Sequence, residues 1–293
     1  MKELKGICVA LCTPFTPDGE KLDENALRKH IDSMLEAKVH IILVCGGTGE
    51  FAYLRPDERR RIAEIASKHI NGRAGFMVQT SAINTADAIE YAKHAEGVGA
   101  DCLLILPPYF EGPNGDGVYY HYEKIAESIR VPIMVYNIPV HSGFDVTPSF
   151  FKRLMGIDKV RYIKDSTGDL IRIQELLSVV GDKARVFNGG DPIAFFSLLA
   201  GCPGCVWGAP NAMPNEAVDL YDSVASGRLV EARDLWKRMF PSNHFFWTHV
   251  YNASVKAATN LSGRKVGDCR KPVQPLTASE MAELRNALKP LGI

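Results

Sequence analysis

The sequence predicts a closed (β/α)8 barrel, the TIM-barrel fold, with a C-terminal helical appendage. Short β-branched or apolar runs alternate from end to end with stretches of roughly ten to sixteen residues at helical period, the pattern of a parallel sheet covered by helices. Eight such runs occur, and no glycine-rich dinucleotide fingerprint follows the first of them to favour a doubly wound sheet. With 46% hydrophobic and 23% charged residues among 293, the chain can bury a core of that size.

Strands are expected at 7–11, 41–44, 76–79, 102–106, 133–136, 160–164, 185–188 and 204–206. The intervening segments each show one apolar stripe, such as Leu27, Ile31, Met34 and Leu35, or Ile62, Ile65, Ala66 and His69, or Ile173, Leu176, Leu177 and Val180. Pro56 falls near a first helical turn, and Thr147 before Pro148 opens another helix. The barrel, carrying the active site, is expected to fill residues 1–226. Beyond it, Leu229, Ala232, Leu235, Trp236 and Met239 begin a helical stretch that runs with breaks to about Leu288. Residues 227–293 are read as an extension because roughly 65 residues make a marginal core alone.

Thirty-four basic residues offset thirty-four acidic ones, and no lysine- or arginine-rich run supplies a local field, so no nucleic-acid partner is expected. No apolar stretch approaches the roughly 18 to 20 residues of a membrane span. The run 6–12 is too short for a secretory segment and reads as the first buried strand. Seven cysteines, odd in number and mostly in apolar segments, are unlike a secreted disulfide framework and point to the cytoplasm.

In this fold reactive groups sit at the C-terminal ends of the strands. Strand two runs into GGTGE (46–50), strand four into PPYF (107–110), strand five into YNIP (136–139), strand six ends on Lys164, and strand seven leads into NGGDP (188–192). A lysine closing an apolar strand projects where desolvation disfavours a charged amine, and a neutral amine is a nucleophile toward carbonyls. The alternative is a structural lysine paired with Asp165 or Glu50. Tyr136 can pass protons as a phenol, or be a packed aromatic with a satisfied hydroxyl. The backbone N–H groups of the glycine-rich turn and the Thr48 hydroxyl suit a carboxylate, although a tight turn alone would need the glycines. Cys202-Pro-Gly-Cys205 has redox or half-zinc spacing but no second pair, and the eight histidines form no metal-binding pattern. No metal and no cofactor is called for.

Taken together, the GGTGE turn, the PPY segment, YNIP, IKDSTG and NGGD resemble the dihydrodipicolinate synthase and N-acetylneuraminate lyase family, in family order and over the whole chain. The resemblance implies that Lys164 forms an imine with a small 2-oxo acid substrate and that Tyr136 shuttles protons. Gly47 and Thr48 would then hold the carboxylate. Tyr109, His141, Gly189, Gly190 and Asp191 complete the implied substrate-binding set, with Asp191 at a position that binds hydroxyls of a sugar-acid chain. It also implies a homotetramer built as a dimer of dimers.

Dihydrodipicolinate synthases carry a Thr-Thr pair in the turn, a second tyrosine after PY and an arginine after YN. Gly47, Phe110 and His141 stand there instead, and an imidazole does not replace a bidentate guanidinium. Dehydration of a 3-deoxy-2-oxo sugar acid, as in 5-dehydro-4-deoxyglucarate dehydratases, needs the missing hydroxyls less than aldol cleavage does. A pyruvate-dependent aldolase is the alternative, and a non-catalytic barrel binding a 2-oxo or amino acid is a third.

Overall fold

The structure, a computed structural model, describes residues 3–293. Eight parallel strands follow one another in the closed order β1 to β8: β1 (Gly6–Ala10), β2 (Ile41–Val44), β3 (Gly75–Gln79), β4 (Cys102–Ile105), β5 (Ile133–Asn137), β6 (Val160–Asp165), β7 (Arg185–Asn188) and β8 (Gly204–Trp207). The helices are α1 (Glu24–Glu36), α2 (Pro56–Ile70), α3 (Thr85–Gly97), α4 (Gly115–Ser128), α5 (Pro139–Ser142), α6 (Pro148–Leu154), α7 (Leu170–Val180), α8 (Ala194–Leu199), α9 (Pro214–Ala225), α10 (Leu229–Thr248), α11 (Tyr251–Leu261) and α12 (Ala278–Leu288).

Local chemistry accounts for the helix starts. Asp23 accepts from the Ala26 amide to cap α1, Pro56 opens α2 with Asp57 and Glu58 in its first turn, and Thr147 caps α6 at the Phe150 amide. Most of each expected stripe is buried, with Leu27, Ile31 and Met34 on α1, Ile62, Ile65 and Ala66 on α2, and Ile173, Leu176 and Val180 on α7, whereas Leu35, His69 and Leu177 are half-buried. Every strand residue is buried apart from Gly75, Arg161 and Arg185, as a sheet covered by helices requires.

By contacts the chain divides into a central unit, Phe76–Val206, and a terminal unit made of the segment up to Gly75 with Trp207–Ile293. In the central unit, β5 and β6 pair with a register shift between Ile133 and Met134, after which Tyr136 lies opposite Lys164 and Asn137 opposite Asp165. β7 then sets Phe187 beside Lys164 and Asn188 beside Asp165. In the terminal unit, β1 pairs with β2, and α10 packs on α9, α11 and α12. Among the described residues no helix is long and apolar enough to cross a membrane.

Candidate active site

In the central unit, β6 runs one residue beyond the expected end, to Asp165, and Lys164, the residue before it, is 5% exposed. Its ammonium nitrogen stands 4.0 Å from the centroid of the Tyr136 ring, which the β5–β6 register puts beside it. Among the described residues it forms no ion pair and no hydrogen bond, so the ring face is its electrostatic partner. Side chains alternate along a strand, so Asp165 points the other way. Its carboxylate accepts from the Thr167 amide at 3.1 Å, the Thr167 hydroxyl, and Asn137 Nδ2 at 2.7 Å, while burial still pushes its pKa up.

Asn137 also donates to Asp145 at 3.2 Å and accepts from the Val146 amide at 2.9 Å. Arg172 grips Asp145 with two bonds, of 2.8 and 3.1 Å. This chain of bonds, from α7 to the ends of β5 and β6, holds the backbone that carries Tyr136 and Lys164. The structural alternative for Lys164, a pairing with Asp165 or Glu50, is therefore replaced: Asp165 is bound to Asn137 and Thr167, and Glu50 to Lys256.

The strand-end motif holds a residue that the sequence reading passed over. Ser166 is 4% exposed, and its hydroxyl has no hydrogen-bond partner. A Cβ placed on Gly189 would meet that hydroxyl and would lie 2.5 Å from Lys164 Cε, so the lysine stem and the serine run side by side over a glycine. Alternation by two was the available signal, since residues 164 and 166 share a face.

The other expected residues are distributed unevenly. Asn188 and Gly190 exchange two bonds of 2.9 Å to form the turn after β7, and the fully buried Asp191 starts the turn that follows. Tyr109 is half-buried, next to Phe110, which is 78% exposed with a φ of 60°. His141 is exposed at the end of α5 and is not bonded to the other candidates. Cys202 and Cys205 are buried free thiols; burial pushes Cys205 up to about 12 and Cys202 up as well. Unreactive packing is the role this environment supports. Among the described residues no three His, Cys, Asp or Glu side chains form a metal-binding group.

The terminal unit contributes the turn after β2. Cys45 and Glu50 have positive φ angles, and a Cβ on Gly49 would press to 3.0 Å on the Leu11 carbonyl, so the tight backbone requires a glycine there. Gly47 O accepts from the Glu50 amide at 2.9 Å and from Asn252 Nδ2 at 3.1 Å. Glu50, fully buried, pairs with Lys256 at 2.7 Å and accepts from the Arg270 amide at 2.8 Å. What this framework leaves over is specific: among the described residues the amides of Gly47 and Thr48 and the Thr48 hydroxyl have no partner. Adjacent unpaired amides beside a hydroxyl form an anion-binding concavity.

Known proteins agree with this architecture. The profile of the Dihydrodipicolinate synthetase family matches residues 3–291. A 4-hydroxy-tetrahydrodipicolinate synthase from Pelobacter propionicus is 34% identical over 289 residues, covering 99% of both chains. The structure of a chloride-inhibited dihydrodipicolinate synthase from Acinetobacter baumannii complexed with pyruvate superposes with a TM-score of 0.95 at 30% identity, covering 99% of this chain and all of that one. A putative dihydrodipicolinate synthetase from Pseudomonas aeruginosa gives 0.94 at 33%, with 99% and 100% covered. The chain belongs to the dihydrodipicolinate synthetase family and is a lyase acting on a small molecule.

Proposed function

We propose that the chain binds a 2-oxo acid as an imine on Lys164 and that the reaction it completes is dehydration of a 3-deoxy-2-oxo sugar acid. The observation that carries the first part is the buried Lys164 amine, held out of every ion pair and set on the Tyr136 ring. The pyruvate bound in the Acinetobacter baumannii relative supports the same substrate class. The amine adds to the carbon-2 carbonyl and water leaves, giving the imine. Loss of a proton from carbon 3 gives an enamine, which expels the carbon-4 hydroxyl as water; hydrolysis of the resulting imine returns the amine. Tyr136, whose ring faces the amine, and Ser166, whose hydroxyl lies along the lysine stem, are assigned to carry these protons. The open amides of Gly47 and Thr48 are assigned to the carboxylate. Gly189 keeps room for the lysine stem, and Gly190, Asp191, Tyr109 and His141 are assigned to the rest of the substrate.

Dehydration is preferred over cleavage because Gly47 and Phe110 offer no hydroxyl to manage a carbon-4 proton. Pyruvate-dependent aldol cleavage is the second reading, favoured by the unpartnered Ser166 hydroxyl. Condensation as in the named synthase relatives is a third, opposed by His141 in place of an arginine. Incubation with pyruvate and borohydride is expected to add one covalent pyruvyl group in the wild type and none in Lys164→Ala. No adduct in the wild type would overturn the imine and leave a binding barrel. Products from a panel of 3-deoxy-2-oxo sugar acids decide the next step: free pyruvate as the main product would replace dehydration with cleavage.

For the assembly we propose a homotetramer. Six large apolar side chains of the central unit stand exposed, Phe110, Tyr120, Val140, Ile171, Phe196 and Leu199, and burial of such side chains between subunits would stabilise an assembly. Seven free thiols support the cytoplasm as its location.

A further inference from the structure

The first turn of α11 carries two side chains that the proposed chemistry leaves unassigned, Tyr251 and Asn252, and both bond to backbone at strand ends of the terminal unit. The Tyr251 hydroxyl accepts from the Gly208 amide at 2.9 Å, just past β8. Asn252 Nδ2 donates to the Gly47 carbonyl at 3.1 Å, in the turn after β2. One helical turn further along, Lys256 pairs with Glu50 at 2.7 Å, so residues 252 and 256, on one face of α11, hold the two ends of the GTGE turn. A Cβ placed on Gly208 would stand 2.6 Å from the Tyr251 hydroxyl oxygen and 3.2 Å from Thr48 Cγ2, so the start of α11 lies against the threonine assigned to the carboxylate.

This grip bears on the direction of one peptide plane. The Gly47 carbonyl and the Thr48 amide belong to a single trans peptide unit, in which C=O and N–H point in opposite directions. The carbonyl has two donors, the Glu50 amide at 2.9 Å and Asn252. The Glu50 amide closes the turn locally, whereas Asn252 comes from a helix packed on α10 and α12 and ties the plane to them. The Thr48 N–H is thereby aimed away from the Asn252 amide, and among the described residues it is left open. Glycine at 47 restricts the plane less than any side chain would, so a tie from outside the turn sets its direction. Donation to the carbonyl also polarises the shared amide and strengthens its N–H as a donor.

We infer that Asn252 is a positioning residue for substrate recognition, holding the Gly47 carbonyl so that the Thr48 amide faces the substrate's carboxylate, a role that rests on the imine and carboxylate assignments proposed above. Trapping with cyanoborohydride, read by intact mass with Lys164→Ala as the blank, tests it. With pyruvate, Asn252→Leu and Asn252→Ala are expected to raise the half-saturating concentration about tenfold, while one pyruvyl group per chain is still reached. With acetone, which has the ketone and no carboxylate, both variants should trap at the wild-type rate. Leu keeps the volume and Ala cannot clash at this half-buried position, so the test does not depend on a single variant folding. In ¹⁵N-threonine-labelled wild type, pyruvate is expected to move the Thr48 amide proton downfield, and in the variants to move it less. No adduct in the wild type would overturn the imine and this role with it; an unmoved Thr48 amide in wild type that traps pyruvate would remove the carboxylate from the turn. Wild-type half-saturation in both variants, or an equal loss with acetone, would overturn the role of Asn252 alone.

Discussion

At the end of β6 a buried amine and a buried hydroxyl, those of Lys164 and Ser166, stand without hydrogen-bond partners, whereas after β2 the buried charges of Glu50 and Lys256 are held by each other and by backbone. In the central unit the framework is satisfied one residue away, at Asp165 and Asn137, and the reactive side chains are left over. In the terminal unit the charged side chains at the turn are committed, and what is left over is the amides of Gly47 and Thr48 and the Thr48 hydroxyl. A buried polar group left unpaired costs stability and is tolerated where a ligand completes it. The contrast is between side-chain groups left open on one unit and, on the other, backbone amides and one hydroxyl left open over a turn whose charges are paired.

The contrast is broken most directly at the paired charges. Lys256→Met would leave Glu50 buried and uncompensated, and is expected to cost about 3–5 kcal/mol in denaturant unfolding. Glu50→Gln combined with Lys256→Met should recover much of that loss. A neutral Lys256→Met would mean that the turn is not built on this pair.

On the central unit the expected loss is catalytic. Gly189→Ala places a methyl group against Lys164 Cε and the Ser166 hydroxyl, both of them movable side-chain atoms. The amine should be displaced while the fold holds, with turnover down roughly 10- to 100-fold and the melting temperature nearly unchanged. A large drop in melting temperature with normal activity per folded molecule would reverse this assignment.

A smaller effect is expected at the turn. Thr48→Val removes one donor beside the open amides and should raise KM several-fold with little change in kcat. A fall in kcat at constant KM would move Thr48 from binding to chemistry.

The smallest effect concerns acid. Arg172 holds the Asp145 carboxyl below its usual range, so the stability it contributes is complete above the unfolded carboxyl value near pH 4 and is lost as pH falls through the lower folded value. Asp145 is partly exposed, which limits the contribution to under about 1 kcal/mol. Asp165, raised by burial, acts in the opposite direction, so wild type must be compared with Asp145→Asn rather than followed alone. The difference between the two should shrink below about pH 4; a difference that grows would contradict the ion pair.

Much of this was legible in the linear pattern. Each expected strand lies within about one residue of the observed one at either end, because period and burial are local properties of a covered parallel strand. Lys164 was legible for the same reason: it ends an apolar run. Ser166 was within reach of the same alternation. Asn252 and Lys256 were not, since they meet the turn across more than 200 residues of chain and carry no motif of their own. The β5–β6 register shift, which sets Tyr136 beside Lys164, likewise leaves no mark in composition.

The sequence by itself determined the order of strands and helices, the end of each strand to within about one residue and the absence of the Thr, Tyr and Arg side chains expected at positions 47, 110 and 141. These follow from hydrophobic period and residue chemistry, which neighbours along the chain decide. Only the tertiary structure decided that Glu50 belongs to Lys256, that Lys164 has an aromatic face instead of a carboxylate, and that Asn252 meets the Gly47 carbonyl. Those are matters of which distant groups burial brings together, and a buried charge or lone pair is governed by the partner it meets there.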